Sequence, residues 1–337
     1  MASADAGTMR AIRVHTPGGP EALVVEDLPT PVPAPGEVRV RAEVIGVGRP
    51  DVLIRQGTYK WMPPLPAVPG AELVGIVEAL GDGAPRELLG QRVLVSAREL
   101  PQRGGCYAEA ICVPASAPFV LPERIAPADA ASLPNVQLAL ALMQCAGGAP
   151  VGSVLIPGAA GGVGSALTQV ARAKGARVFG TARGEAKRRF ALDNGAEAIV
   201  AADPAALADD VRALTGGRGV DMAFDHLGGE WLTAGLHALA PMGMLVSYNL
   251  VLGFPQRETL KEMRALLGRS LALRTFSMHT YDELPAQRRA LLEEAIALMA
   301  AGRVKAPPTL SLPMAQVRQA HELLDRGDVL GKLVLVP

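Results

Sequence analysis

Cysteine is scarce in this chain: only Cys106, Cys112 and Cys145 occur. Three thiols cannot pair completely, and there is no Cys-x-x-Cys and no Cys/His cluster. Neither a disulfide framework nor a structural zinc site is expected. Aromatic residues are only 4% of the chain, so Ala, Val and Leu must fill most of any core. Net charge is lacking too, because 33 Lys and Arg balance 33 Asp and Glu. A duplex-binding protein needs a basic surplus to neutralise phosphates, so nucleic acid is not expected as a partner. Met1–Thr8 holds no apolar stretch of signal-peptide type and reads as a short mobile tail. A reducing, cytoplasmic location is expected. Ala130 to Ala171 carries no charged residue, but Pro134, Gly147, Gly148, Pro150 and Pro157 interrupt it. No unbroken apolar helix of about 20 residues survives there, so buried α/β core is expected rather than a membrane span.

What is present is apolar bulk. Hydrophobic residues are 49% of 337, enough for about two domains with substantial cores. The first third consists of short β-rich runs between Pro/Gly turns, among them AIRVH, ALVVEDL, EVRVRAEVIGV, ELVGIVEALG and QRVLVSA. They predict an irregular, mainly antiparallel β domain. After Pro134 the texture changes to strands alternating with helices, which predicts a doubly wound parallel sheet. SVLIP, ARVFGTA, AEAIVA, VDMAFDHL and MLVSYNL are its expected strands.

The most informative stretch is SVLIPGAAGGVGSALTQVARAKGARVFGTA. A strand ends at Pro157, and the turn from Gly158 to Gly164 opens directly into a helix. Small residues there let backbone approach a pyrophosphate, and the helix's free N–H groups and dipole bind the anion. Against the pattern G-x-G-x-x-G the first glycine is Ala159, but strand, helix and second strand are in register. Ala160, Gly161, Gly162 and Val163 are the expected cofactor contacts. The second strand should end on the residue that reads the adenosine ribose, and an acid there would favour NAD. Instead it ends Thr181-Ala182-Arg183-Gly184, with Lys187 one turn on. A guanidinium and an ammonium suit a 2′-phosphate, so NADPH is the expected cofactor. The alternative is that Arg183 and Lys187 merely join Arg188 and Arg189 on a solvated helix face.

These residues, with Arg55-Gln56-Gly57-Thr58-Tyr59, Pro69-Gly70-Ala71-Glu72, Gly105-Cys106-Tyr107-Ala108-Glu109, Val220-Asp221 with Asp225, and Leu330-Gly331-Lys332-Leu333-Val334, resemble the medium-chain dehydrogenase/reductase superfamily. The resemblance runs from about Met9 to Pro337 and points to the zinc-free quinone oxidoreductase branch. It implies an α/β protein: a GroES-like, mainly β catalytic domain over residues 1–134 and 278–337, and a Rossmann domain over 135–277. It implies cofactor contacts from His226, Tyr248 and Lys332. For His226 a plain loop role, and for Tyr248 core packing, are the competing readings. Gly48 stands where zinc dehydrogenases of the superfamily carry a Cys, and Ala71 where they carry a His. With both ligands replaced, no metal is expected. Quinone oxidoreductases usually have Asn at the position of Gly48, Thr at Ala139 and Tyr at Ala201. Asp51 is expected to brace its loop, Glu72 to pair with a cation, and Cys106 to lack a base. His15, His237, His279 and His321 are expected to be ordinary.

Tyr59 matches a Tyr that, in related enoyl-thioester reductases, donates a proton or orients a carbonyl. A phenol does both while neutral at pH 7. The other reading is that Tyr59 and Trp61 only wall an apolar pocket with Gly48. The expected activity is reduction of a small quinone or enone. The rivals are an enoyl-thioester reductase and a non-catalytic NADPH-binding protein of crystallin type. A homodimer or dimer of dimers is expected through exposed strand edges, with Met244–Leu252 and Leu271–Met278 as candidates.

Overall fold

A computed structural model describes residues 7–337. Residues 1–6, most of the expected tail, lie outside the described residues, and Thr8 already begins a strand. In chain order the strands are β1 (Thr8–Val14), β2 (Leu23–Pro29), β3 (Glu37–Val47), β4 (Glu72–Leu80), β5 (Arg92–Ser96), β6 (Ala110–Pro114), β7 (Phe119–Val120), β8 (Ser153–Ile156), β9 (Arg177–Thr181), β10 (Ala198–Val200), β11 (Val220–Asp225), β12 (Leu239–Ser247), β13 (Ala272–Thr275), β14 (Thr309–Pro313) and β15 (Lys332–Val336). The α-helices are α1 (Arg49–Arg55), α2 (Pro127–Ala130), α3 (Leu133–Gln144), α4 (Gly162–Ala173), α5 (Glu185–Asp193), α6 (Pro204–Leu214), α7 (Gly229–His237), α8 (Thr259–Ala265), α9 (Pro285–Ala300) and α10 (Val317–Arg326).

The chain forms two compact units. One comprises the residues up to Pro134 together with Ile296–Pro337, the other Asn135–Ala295. The return to the first unit therefore falls inside α9, not at residue 278 as the sequence reading placed it. Composition could not mark this point, because one continuous helix carries the chain across it.

The first unit is built on a seven-stranded sheet of order β14-β15-β3-β4-β5-β7, with β6 also paired to β3. Every pairing in it is antiparallel except β14 with β15. β3 shows why. Val38, Val40 and Ala42 alternate inward, as a half-buried strand requires. From Val44 to Val47 burial becomes continuous, where β15 pairs with Ile45, Gly46 and Val47. Val38, Val40, Ile45, Leu73, Val93, Val95 and Tyr107 belong to this unit's core. β1 and β2 form a separate two-stranded hairpin.

The second unit is a six-stranded sheet of order β10-β9-β8-β11-β12-β13, parallel in every pairing. Counted from β8, that is the order 3-2-1-4-5-6 of a dinucleotide-binding sheet. The order reverses between β8 and β11, and ligands of open α/β sheets bind beyond the carboxyl ends of the strands at such a point. Local chemistry sets the helix ends: Asp203 caps α6 by accepting from Ala205 N at 3.0 Å, with Pro204 at the first helical position.

Two expectations are corrected here. β12 begins at Leu239 rather than Met244, passing through Met242 at φ 64°. Met244–Leu252 is also not a sheet edge: Met244 to Ser247 pair with both β11 and β13, and the strand ends there. Of the two candidate strands, only the one over Leu271–Met278, observed as β13, lies at an edge. No helix among the described residues is long and apolar enough to cross a membrane.

Candidate functional site

The glycine turn and the end of β11 emerge side by side, because β8 and β11 pair directly, Leu155 opposite Ala223. Gly158 has φ +68°, a left-handed conformation that glycine adopts at little cost. A Cβ on Gly158 would lie 2.8 Å from His226 Cε1. A Cβ on Gly164 would lie 2.3 Å from the Gly158 carbonyl oxygen. The first turn of α4 therefore packs directly on the turn backbone, and no side chain could fit between. Gly161 caps α4 without a side-chain acceptor, and no acid sits in its first turn. The open N–H groups of that turn, which begins Gly162-Val163, form an anion cradle. Ala159 and Ala160 are buried beneath it.

Thr181, at the end of β9, braces the cradle. Its hydroxyl accepts from Gly158 N at 3.2 Å, and its carbonyl accepts from Ala159 N at 3.0 Å. Just beyond, Arg183 is exposed and Lys187 half-buried. Arg188 does not share a solvated face with them. Its guanidinium donates to the carbonyls of Ile199 at 2.9 Å and Val200 at 3.4 Å, tying α5 to β10.

Asp225, buried at the end of β11, accepts from the N–H groups of Leu227 and Gly228 at 3.0 Å each and shapes the following turn. Burial pushes its carboxyl up to about 6, against the pull of those two amides. His226 follows it and packs against Tyr248, ring centroids 5.8 Å apart. Its Nδ1 is buried and has no hydrogen-bond partner. Burial pushes the imidazole down to about 4, so the ring is neutral near pH 7. Burial, and after it the Asp225 charge, raises the Tyr248 phenol. A glycine cradle that a Cβ would fill, an open helix N-terminus and an orphaned imidazole nitrogen fit a dinucleotide.

In the first unit Gly48 caps α1, and its N–H donates to Asp51 Oδ2 at 2.8 Å. Asp51 Oδ1 accepts from Gly70 N at 3.0 Å. Gly70, at φ +107°, has no room for a Cβ, which would sit 2.4 Å from Tyr107 N. Ala71 follows it. Glu72 and Lys332, both buried, form an ion pair. The cation expected beside Glu72 is thus Lys332, and the ammonium expected to reach a cofactor is engaged inside this unit. Cys106 is fully buried, and its thiol is raised well above its ordinary value by burial and by Glu72 and Asp51. That makes it a poor nucleophile. Tyr59 is half-buried, with its ring 5.8 Å from that of Trp61. Trp61 is 37% exposed and carries the Lys60 ammonium 5.3 Å from its ring. Among the described residues no group of three or more His, Cys, Asp and Glu side chains is gathered to hold a metal.

The sequence reading missed one buried pairing in this unit. His321 and Tyr107, 214 positions apart, share a hydrogen bond at 3.0 Å. Neither residue carries a local signal, since their meeting depends on how α10 packs.

The alcohol dehydrogenase GroES-like domain model matches residues 34–123, and the zinc-binding dehydrogenase model matches residues 162–297. The chain is 31% identical over 334 residues to the quinone oxidoreductase of Rattus norvegicus, covering 97% of this chain and 98% of that one. A mycobacterial protein solved in complex with NADPH superposes with a TM-score of 0.86 at 30% identity, covering 98% of this chain and all of that one. The Escherichia coli quinone oxidoreductase complexed with NADPH superposes with a TM-score of 0.82 at 27% identity, covering 97% and 100%. With both domain models matched and relatives of 30% identity or more along nearly its whole length, this chain belongs to the medium-chain dehydrogenase/reductase superfamily, in its quinone oxidoreductase branch.

Proposed function

We propose that this chain is an NADPH-dependent, zinc-independent oxidoreductase that reduces a quinone or an α,β-unsaturated carbonyl. The observation that carries the reading is the glycine cradle at the point where the sheet order reverses, with no acid in the first turn of α4. Relatives that are quinone oxidoreductases, and structures solved with NADPH, support it. NADPH, when bound, supplies the hydride, and the protein's task is binding, orientation and proton supply. The backbone from Gly158 to Val163 holds the diphosphate, with Ala160 underneath and Thr181 keeping the turn in shape. Arg183 and Lys187 hold the 2′-phosphate. His226 stays neutral and offers a ring nitrogen rather than a charge, and Tyr248 fixes its plane. Gly48, Tyr59 and Trp61 line the substrate. The Tyr59 phenol orients the substrate oxygen and supplies its proton. Gly48 and Ala71, at the positions where zinc enzymes of this superfamily carry ligands, support metal independence.

A steady-state panel tests the reading: purified protein, NADPH or NADH, and a set of small quinones, enones and enoyl thioesters. Turnover of quinones or enones with NADPH is expected. Preference for the thioesters would make the chain an enoyl-thioester reductase. Cofactor binding without turnover would make it a non-catalytic NADPH-binding protein. Chelator should leave the rate unchanged, and one zinc per chain by elemental analysis would overturn metal independence. Tyr59→Phe should slow enone reduction by about a hundredfold, the usual worth of a general acid, with a smaller loss on quinones, whose reduced product is a more stable anion. Equal, small losses on both would leave Tyr59 a pocket wall.

A further inference from the structure

Tyr59 stands on α1. After that helix the chain passes through Gly57, whose φ of +70° folds it back over the last turn. A Cβ on Gly57 would lie 2.8 Å from the Pro17 ring, so the turn is closed from outside as well. Beyond it Thr58 N and Tyr59 N both donate to the Leu53 carbonyl, at 3.0 and 3.2 Å. The Tyr59 backbone is thus tied to α1, and the stance of α1 sets where the phenol is delivered.

A helix of seven residues has little stability of its own, so its stance comes from packing. Val52 and Ile54 are buried, but apolar burial is non-directional and fixes the rotation of a short helix only weakly. At the first turn Asp51 accepts from Gly48 N and Gly70 N. At the last turn, where Tyr59 is attached, the directional contacts go to α10. Arg55, 1% exposed, donates from Nη2 to Asp325 Oδ2 at 2.9 Å and from Nη1 to His321 Nδ1 at 3.5 Å. A guanidinium only donates, so His321 Nδ1 accepts, and Nε2 donates to the Tyr107 hydroxyl at 3.0 Å. Arg49, the first residue of α1, sets Nη1 4.0 Å from Asp325 Oδ1, so one carboxylate faces both ends of the helix. α10 is a fixed base: Val317 and Ala320 belong to the unit's core, and Arg318 Nε donates to the Leu23 carbonyl at 3.0 Å. Arg55 is a costly way to fill this space, since its Nε is buried with no partner. A buried guanidinium left incompletely paired does no more for stability than an apolar side chain of similar volume. What its planar fork supplies is a fixed angle toward the groups that hold it.

We propose that Arg55 is a positioning residue for the Tyr59 phenol: gripped by Asp325 and His321, it fixes the angle at which α1 presents the turn that carries Tyr59. The turnover part of this proposal rests on the reductase reading and on the role given there to Tyr59; the fixing of the turn does not. Arg55 is buried and acts on the reaction through Tyr59 alone, so its effect on turnover vanishes where the phenol is gone.

A double-mutant cycle on the full-length protein, with saturating NADPH and a small enone, tests this. Arg55→Met keeps apolar volume and removes the fork. It should lower kcat about tenfold, within the hundredfold or so that a misplacement of about 1 Å can cost. In a Tyr59→Phe background the same substitution should cost less than about twofold, because no phenol is left to misplace. An equal loss in both backgrounds, or no loss in the wild-type background, overturns the proposal, since a residue that only supports the fold behaves in one of those ways. Hydrogen–deuterium exchange gives a reading independent of activity. The Thr58 and Tyr59 amides should exchange about tenfold faster in Arg55→Met, the worth of roughly one net hydrogen bond. Val74 and Leu94, paired between β4 and β5, should keep their wild-type rates. A rise shared by all four, or no rise at Thr58 and Tyr59, also overturns it. Asp325→Asn, at a partly exposed position, should reproduce both results and decides the matter where Arg55→Met does not fold. A wild type that turns over no enone would count against the reductase reading and leave exchange to decide whether Arg55 fixes the turn.

Discussion

At the residue scale, the proposed cofactor choice rests on two cations. Arg183 is exposed at the end of β9, and Lys187 sits half-buried one turn on. A hydrogen bond to a charged group is worth roughly 1.5–3 kcal/mol, and exposure with salt screening draws the pair toward the lower end. NADPH should therefore bind about one to two orders of magnitude more tightly than NADH, at 1.4 kcal/mol per tenfold. Arg183→Ala with Lys187→Ala should weaken NADPH and barely change NADH, read by titrating cofactor at two salt concentrations. Equal weakening of both would remove the 2′-phosphate from this account. His226 gives a second expectation, independent of ligand. Its pKa is about 4 in the folded state against 6.5 in the unfolded chain, so below about 6.5 the unfolded chain takes up the proton first. The stability it contributes is fully present above 6.5 and is lost as pH falls toward 4. Asp51 and Asp225, with raised values, act in the opposite direction over much of the same range. The comparison must therefore be between wild type and His226→Gln. The variant's Tm relative to wild type should rise from pH 7.5 to pH 4.5, and a constant gap would show that His226 is not held neutral. The Arg183 cation was legible in the sequence. The orphaned Nδ1 of His226 was not, because it depends on what surrounds the ring.

At the scale of elements, the β8–α4 unit shows how closely pattern and packing agree. Strand, glycine turn and helix were readable from their periods, and the observed bounds follow them. What the pattern left open was the job of each glycine. Gly164 has ordinary helical backbone, yet a Cβ there would meet the Gly158 carbonyl at 2.3 Å. Gly164→Ala must push α4 away from the turn, and such overpacking costs about 1–3 kcal/mol. The melting temperature should drop, and cofactor affinity should drop with it because the cradle is built from the same backbone. A variant that binds as tightly as wild type would show that the turn tolerates the shift. β12 is the counterexample. Its first half, Leu239 to Gly243, lies before the expected strand MLVSYNL, but pairing of Val220 with Leu239 draws it into the sheet. α8 has too little apolar periodicity to be read from sequence, and none of its residues is buried.

At the scale of the whole molecule, the second unit leaves β13 as a sheet edge. Leu252, Phe254, Leu260 and Leu267, in the segment between β12 and β13, are 62%, 82%, 73% and 57% exposed. An open edge beside apolar side chains tends to be covered by another chain. The protein is therefore expected to be a dimer, or a dimer of dimers, by light scattering at micromolar concentration. Phe254→Asp with Leu260→Asp should shift it toward monomer, and a monomeric wild type would defeat the expectation. The sequence by itself determined the fold class, because the hydrophobic period changes from two to a strand–helix alternation after Pro134, and period alone sets which faces can be buried. It also determined the dinucleotide turn, since strand, small residues and helix are contiguous in the chain. Only the tertiary structure decided which strands are edges, where α9 passes from one unit to the other, and that Lys332 belongs to Glu72. It alone brought Tyr107, His321 and Arg55 into one line. Those are contacts between residues up to 266 positions apart, formed by how elements pack, and no local pattern encodes them.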